Sequence, residues 1–134
     1  MIILLDTHVV LWALTNDPGL SKRAKDLISD PDNEIFYSII SMWEVQIKPM
    51  LHPEKFTLCG KDFNDYCLRS GYSLLSLKPD HITGLAGLKT INDEPVHKDP
   101  FDRIMICQAI SENMIFLTHD SLLKKYEEPC VFNI

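Results

Sequence analysis

Four acidic residues stand at positions where they could act together: Asp6, Glu44, Asp102 and Asp120. Asp6 directly follows the apolar run Ile2-Ile3-Leu4-Leu5, and Glu44 falls in the first turn of a helix expected after a second apolar run. Asp102 falls in the first turn of a helix opened by Asp99-Pro100, and Asp120 follows the strand-like segment Met114 to Thr118. If these strands lie parallel and side by side, the acids meet in the crevice beyond their carboxyl ends. Carboxylates that close repel one another, which raises their pKa values or calls for a cation. Oxygen donors with no Cys or His at ligand spacing suit Mg²⁺ or Mn²⁺ better than zinc. A cation so held lowers the pKa of a bound water and stabilises charge on a phosphoryl oxygen, which is the chemistry of phosphodiester hydrolysis.

Each acid also has a structural explanation. Asp6 or Thr7 could cap the first helix. Ser41-Met42-Trp43-Glu44 matches the capping-box pattern, in which the glutamate bonds back to the amide of the cap residue. Asp99 suits the N-cap of the helix begun by Pro100, and Asp102 suits the helix dipole at its third position. Asp120, before Ser121, could cap a short last helix. The joint placement of all four at strand ends is what the caps leave unexplained.

The elements that must position these residues read as strands alternating with helices. Ile2 to Leu5 is β-branched-rich and uninterrupted, as in a strand buried on both faces. Val9 to Leu14 is apolar all round and reads as a buried helix. Leu20, Ala24, Leu27 and Ile28 form the apolar stripe of an amphipathic helix. Glu34 to Ile39 is a second strand, followed by a helix from Ser41 that ends or kinks at Lys48, because Pro49 disfavours helical dihedrals there. Lys61 to Arg69 is amphipathic, Tyr72 to Leu77 a third strand, Pro79 to Leu88 a helix and Lys89 to Lys98 a polar loop. The Asp99-Pro100 helix runs to about Asn113, Met114 to Thr118 is a fourth strand, Ser121 to Lys125 a short helix and Cys130 to Phe132 a possible last strand. Alternation of this kind implies a parallel sheet covered on both faces. Trp12, Trp43 and Phe101 fall within apolar helical stretches and are expected in the core. The histidines are expected at the surface or in supporting roles: His8 and His119 beside candidate acids, His97 ordering the loop before Asp99, and His52 and His81 isolated.

Composition narrows the classes. The 134 residues suit one domain with an ordinary core. A net charge of -6, from 13 basic and 19 acidic side chains, excludes binding nucleic acid by a coat of lysines. It leaves open a nucleic-acid substrate approached through bound cations. No apolar run reaches the roughly 18–20 residues of a membrane span, and the N-terminal run lacks a signal peptide's features. The cysteines Cys59, Cys67, Cys107 and Cys130 show no disulfide or zinc spacing and are expected as reduced thiols in the cytoplasm. Phosphate-cradling glycine motifs and a G-x-S-x-G nucleophile elbow are absent.

Four segments together resemble the PIN-domain ribonucleases, and within them the VapC-like toxins of bacterial type II toxin–antitoxin pairs. They are Leu4-Leu5-Asp6-Thr7-His8 with Trp12; Ser41 to Lys48; His97-Lys98-Asp99-Pro100-Phe101-Asp102-Arg103 with Gln108-Ala109; and Leu117-Thr118-His119-Asp120. The resemblance spans nearly the whole chain, and the Asp99 to Arg103 segment is its most specific part. It implies a single α/β/α PIN-like domain over residues 1–134 with a central parallel sheet of four to five strands. It implies an endoribonuclease site in which Asp6, Glu44, Asp102 and Asp120 bind Mg²⁺ or Mn²⁺, with Thr7, Thr118 and Asp99 supporting them. Arg103 and Lys98 are candidates to touch the RNA backbone. The resemblance further implies unpaired RNA as substrate, an antitoxin protein that covers the site, and a homodimer. Two departures stand out: Pro49 follows Lys48 where the family continues its helix, and Asn92-Asp93-Glu94-Pro95 adds negative charge before the His97 to Asp102 segment.

Rival readings fare less well. A phosphoacceptor receiver would need a lysine after a late strand, and Leu117 to Asp120 has none. A haloacid-type phosphatase would want a second aspartate where His8 stands. The remaining alternative is a non-catalytic PIN-like protein-binding module, and the intact acids argue against it.

Overall fold

The protein is described here from a computed structural model, which covers residues 1–48, 58–88, 99–119 and 131–133, the last by backbone alone. Strand β1 (Ile2–Leu5) shows why its sequence carries no alternation: Ile3, Leu4 and Leu5 are all buried, on opposite faces. Ile3 and Leu5 join one core with Val9, Val10, Ala24 and Phe63, whereas Leu4 joins another with Ile40, Met105, Ile106 and Phe116. The first core is covered by α1 (Thr7–Thr15), α2 (Lys22–Ser29) and α4 (Gly60–Arg69), and the second by α6 (Pro100–Ser111) with the start of α3 (Ile39–Ile47). The result is a sheet between two helical layers.

The sheet is parallel throughout, in the order β3-β2-β1-β4-β5, with β2 at Glu34–Ser38, β3 at Ser73–Leu75, β4 at Ile115–Thr118 and β5 at Val131–Asn133. Leu5 stands level with Tyr37 on one side and Leu117 on the other. The chain builds outward from β1 to β3 and then crosses back to place β4 on the other side of β1. The strand order therefore reverses between β1 and β4, and the crevice beyond their carboxyl ends is where such sheets bind ligands. The α/β architecture and the parallel sheet agree with the sequence reading.

Several boundaries differ from expectation, each for a local reason. Helix α1 starts at Thr7 instead of Val9 because the Asp6 side chain already caps it, accepting from the Thr7 amide at 2.7 Å. Strand β3 stops at Leu75 because its partner β2 ends at Ser38, where the chain turns into α3. The Pro79 to Leu88 segment splits into α5 (Pro79–Thr83) and a 3₁₀ turn (Gly84–Gly87), whose two glycines hold a helix poorly. Helix α6 ends two residues short of Asn113, which adopts φ 55° in the left-handed region. The helix expected at Ser121 to Lys125 lies outside the described residues, as do Pro49, His52, His97, Cys130 and Asn92 to Pro95.

His81 is neither isolated nor at the surface. It is fully buried; its Nδ1 accepts from the Lys78 amide at 3.0 Å, and its Nε2 lies 2.9 Å from Glu112 Oε1. With Nδ1 an acceptor, the ring proton sits on Nε2 and is donated to Glu112, so a neutral imidazole ties α5 to the end of α6.

Candidate active site

Asp6, Glu44, Asp99 and Asp102 line one cleft of about 300 Å³ at the β1–β4 reversal, together with His8, Trp12 and His119. Asp6, Glu44 and Asp102 are only 4%, 5% and 8% exposed, which is unusual for charged side chains and demands partners. Asp120 and Lys98 lie outside the described residues. Arg103 is half-buried and does not line the cleft; its Nε has no hydrogen-bond partner among the described residues.

Asp6 is held from both sides. Its Oδ1 accepts from the Thr7 amide at 2.7 Å, and its Oδ2 accepts from the Thr118 hydroxyl at 2.7 Å. The second bond joins the first helix to the end of β4, so the carboxylate is aimed by two elements far apart in sequence. Each oxygen retains a further acceptor position. Burial pushes the Asp6 carboxyl up from its usual 3.8 to about 6, against the lowering effects of Thr118, the Thr7 amide and His8, while nearby Glu44 adds to the rise.

Glu44 is aimed in the same manner. The Thr7 hydroxyl donates to its Oε1 at 2.7 Å, and the Ser41 hydroxyl lies 2.8 Å from Thr7 Oγ1. The capping box suggested by Ser41 and Glu44 does not form. Ser38 caps α3 instead, its Oγ accepting from the Ile40 amide at 3.0 Å, so the helix starts earlier and Glu44 sits in its second turn, facing the cleft. Ser38 wins because it ends β2 in the extended conformation that a cap requires, whereas Ser41 is already helical. Ser41 is thereby a supporting residue that sequence reasoning took for a cap.

Asp99 is the cap it was expected to be: its Oδ1 accepts from the Phe101 amide at 2.9 Å, while the same side chain reaches the cleft. Lys48 Nζ stands 3.8 Å from Glu44 Oε2 and 3.9 Å from Asp99 Oδ2, above the Phe101 ring at 4.5 Å. Those ion pairs are long, and the lysine is 44% exposed, so it offsets the buried acids only partly.

The oxygen donors that Asp6, Glu44, Asp99 and Asp102 bring to the cleft suit a hard divalent cation such as Mg²⁺ or Mn²⁺. Among the described residues no three His, Cys, Asp or Glu side chains converge closely enough to hold an ion by themselves. Mg²⁺ tolerates that, since it usually keeps several waters and takes only one or two protein carboxylates. The donor chemistry therefore fits.

Two aromatic expectations need correction. Trp43 is 55% exposed and stacks edge-on against Phe101 at 4.9 Å, and Trp12 is half-buried with part of its ring on the cleft. Phe101 alone of the three is buried as expected. Nearness to the acids was the available signal: Trp43 precedes Glu44, and Trp12 lies one turn beyond His8.

Comparison with solved structures finds the same fold in several chains, two VapBC structures among them. VapBC2 from Rickettsia felis, bound to a DNA fragment from its promoter, matches with a TM-score of 0.69 and 19% identity, covering 100% of this chain and 98% of that one. VapBC-1 from nontypeable Haemophilus influenzae matches with a TM-score of 0.56 and 18% identity, covering 92% and 90%. A search of curated proteins by sequence finds no match. The family model of the PIN domain matches residues 3–129, so nearly the entire chain, the cleft included, belongs to the PIN-domain family.

Proposed function

We propose that this chain is a metal-dependent endoribonuclease, the VapC-like toxin of a toxin–antitoxin pair. The observation that carries the reading is the aiming of Asp6 by Thr118 and of Glu44 by Thr7 into one cleft at the β1–β4 reversal. Hydroxyl donors fix the carboxylates' rotamers and leave lone pairs turned to the cleft. Asp6, Glu44 and Asp102, with Asp120, are the residues that would hold Mg²⁺ or Mn²⁺. The cation would supply a water of lowered pKa and stabilise charge on the phosphoryl oxygen. Thr7 and Thr118 keep the acids oriented, Asp99 caps α6 beside them, and Lys48 balances charge at the rim. Hydrolysis of this type leaves a 5′-phosphate and a 3′-hydroxyl.

The same reading assigns an antitoxin protein that covers the cleft and a homodimer in which the toxin acts in the cytoplasm. Among the described residues no helix is long and apolar enough to cross a membrane. The test is cleavage of 5′-labelled total RNA with Mg²⁺, Mn²⁺ or EDTA, beside Asp6→Asn. Discrete fragments that require metal and disappear in the variant support the nuclease. A protein that binds neither metal nor RNA, yet pairs with a partner protein, is instead a non-catalytic module.

A further inference from the structure

The cleft is lined by two chemically different sets of side chains, and the acids are only one. The other is Trp12, His8 and His119. Trp12 packs partly on the core, yet part of its ring faces the cleft. Its position is fixed by several contacts. Asp17 donates its amide to the Trp12 carbonyl at 2.9 Å, closing the loop after α1 over the residue. That loop brings Gly19 so near the indole that a Cβ there would lie 3.4 Å from Trp12 Cε2 and 3.5 Å from Cζ2. His8 and His119 meet the indole at 6.2 and 4.9 Å with interplanar angles of 62° and 71°. Among the described residues both ring contacts of Trp12 are therefore edge-to-face, and none is a parallel stack.

A fixed indole beside a cluster of carboxylates is poorly suited to an anion but well suited to a flat, neutral, polarisable ring. In a paired helix the bases are stacked on one another and present no face to a side chain, so only an unpaired nucleotide could lie on it. The His8 imidazole carries ring nitrogens that can donate or accept at a base edge.

We propose that Trp12, flanked by His8 and His119, is a nucleobase platform that seats one unpaired base beside the acids and so selects the phosphodiester to be cut. This rests on the nuclease reading above. The platform makes Trp12 a specificity-determining residue, while the acids and cation remain the reacting machinery.

The experiment is a double-mutant cycle between protein and RNA. A fragment containing a mapped cut, prepared as a short 5′-labelled unpaired strand, is remade with a single abasic ribose at each position around the cut. Each strand is cleaved in Mg²⁺ by the wild type, by Trp12→Leu, which retains apolar packing on the core, and by Trp12→Phe, which retains a ring. With the wild type, one abasic position is expected to lose about 5- to 150-fold in kcat/KM, the usual worth of one stacked base. With Trp12→Leu, the intact strand falls by a similar factor and the abasic penalty at that position disappears, while Trp12→Phe restores most of both. If no single abasic position matters to the wild type, or the penalty persists undiminished in Trp12→Leu, the platform is overturned and the nuclease stands. The wild-type abasic scan decides the matter even if Trp12→Leu does not fold. A wild type that cuts no RNA with Mg²⁺ or Mn²⁺ removes the nuclease reading, and the platform falls with it.

Discussion

Replacing Asp6 with asparagine should strengthen the metal-free fold while abolishing cleavage. Asp6 titrates near 3.8 in an unfolded chain and near 6 in the fold, where burial is the largest cause of the rise. Between those values the folded state holds a proton that the unfolded state has released. Stability in EDTA therefore falls as pH rises from about 4 to about 6 and is level above that. At neutral pH the ionised, buried carboxylate costs the native state roughly 3 kcal/mol. Asparagine stands in for the protonated acid: it caps a helix as well as aspartate does, and its carbonyl can still accept from the Thr7 amide. Chemical unfolding in EDTA should place the urea midpoint of Asp6→Asn above that of wild type by roughly 1–3 M near neutral pH. The gap should close as pH falls to about 4. Adding Mg²⁺ should raise the wild-type midpoint and leave the variant unmoved, since only the wild type retains the acid proposed to bind it. A variant less stable than wild type at neutral pH in EDTA, or a gap independent of pH, would refute the reasoning.

Thr118→Val removes the hydroxyl that steadies Asp6 Oδ2 at 2.7 Å; Mg²⁺ affinity or cleavage should fall roughly 10- to 100-fold, and the Asp6 carboxyl in NMR titration should move further upward. Lys48→Met removes the half-exposed cation that competes for Glu44 and Asp99, so calorimetry should show Mg²⁺ bound roughly 2- to 5-fold more tightly; weaker binding would mean the lysine supports the site. His81→Leu strands the Lys78 amide and should cost roughly 1–3 kcal/mol in urea unfolding, with cleavage per folded molecule unchanged.

How much was legible in the sequence depends on whether a residue's role is local. Ile2 to Leu5 declares a doubly buried strand without further context, and Asp99-Pro100 declares a helix start. That Asp6, Glu44 and Asp102 meet in one cleft was legible because each follows a strand end or lies early in the helix beyond one. Glu44 also fitted a capping box because Ser41 carries the right pattern; nothing local reveals that Ser38, at the strand end, takes the cap role first. The partners of the acids, Thr7 and Thr118, were named only through the resemblance to the family. Thr7 binds Glu44 across 37 residues and Thr118 binds Asp6 across 112, distances over which a sequence pattern has no period to show. His81 illustrates the same limit, since Glu112, its partner, lies on another helix end. Trp43 looked like core because its neighbours are apolar, yet α3 turns it outward against Phe101.

The bond between Thr118 and Asp6 also dictates when the cleft can exist. The strand β4, which flanks Asp6 and supplies its hydroxyl partner, is synthesised more than a hundred residues after it. Until β4 docks in parallel against β1, the first aspartate has neither its neighbour strand nor its second donor, and Asp102 on α6 has barely emerged. A parallel pairing so distant in sequence is also slow, because the loop must close before the contacts reward it. The cleft thus forms only once β4 has followed β1 by more than a hundred residues, and the nuclease proposed above stays inert until then.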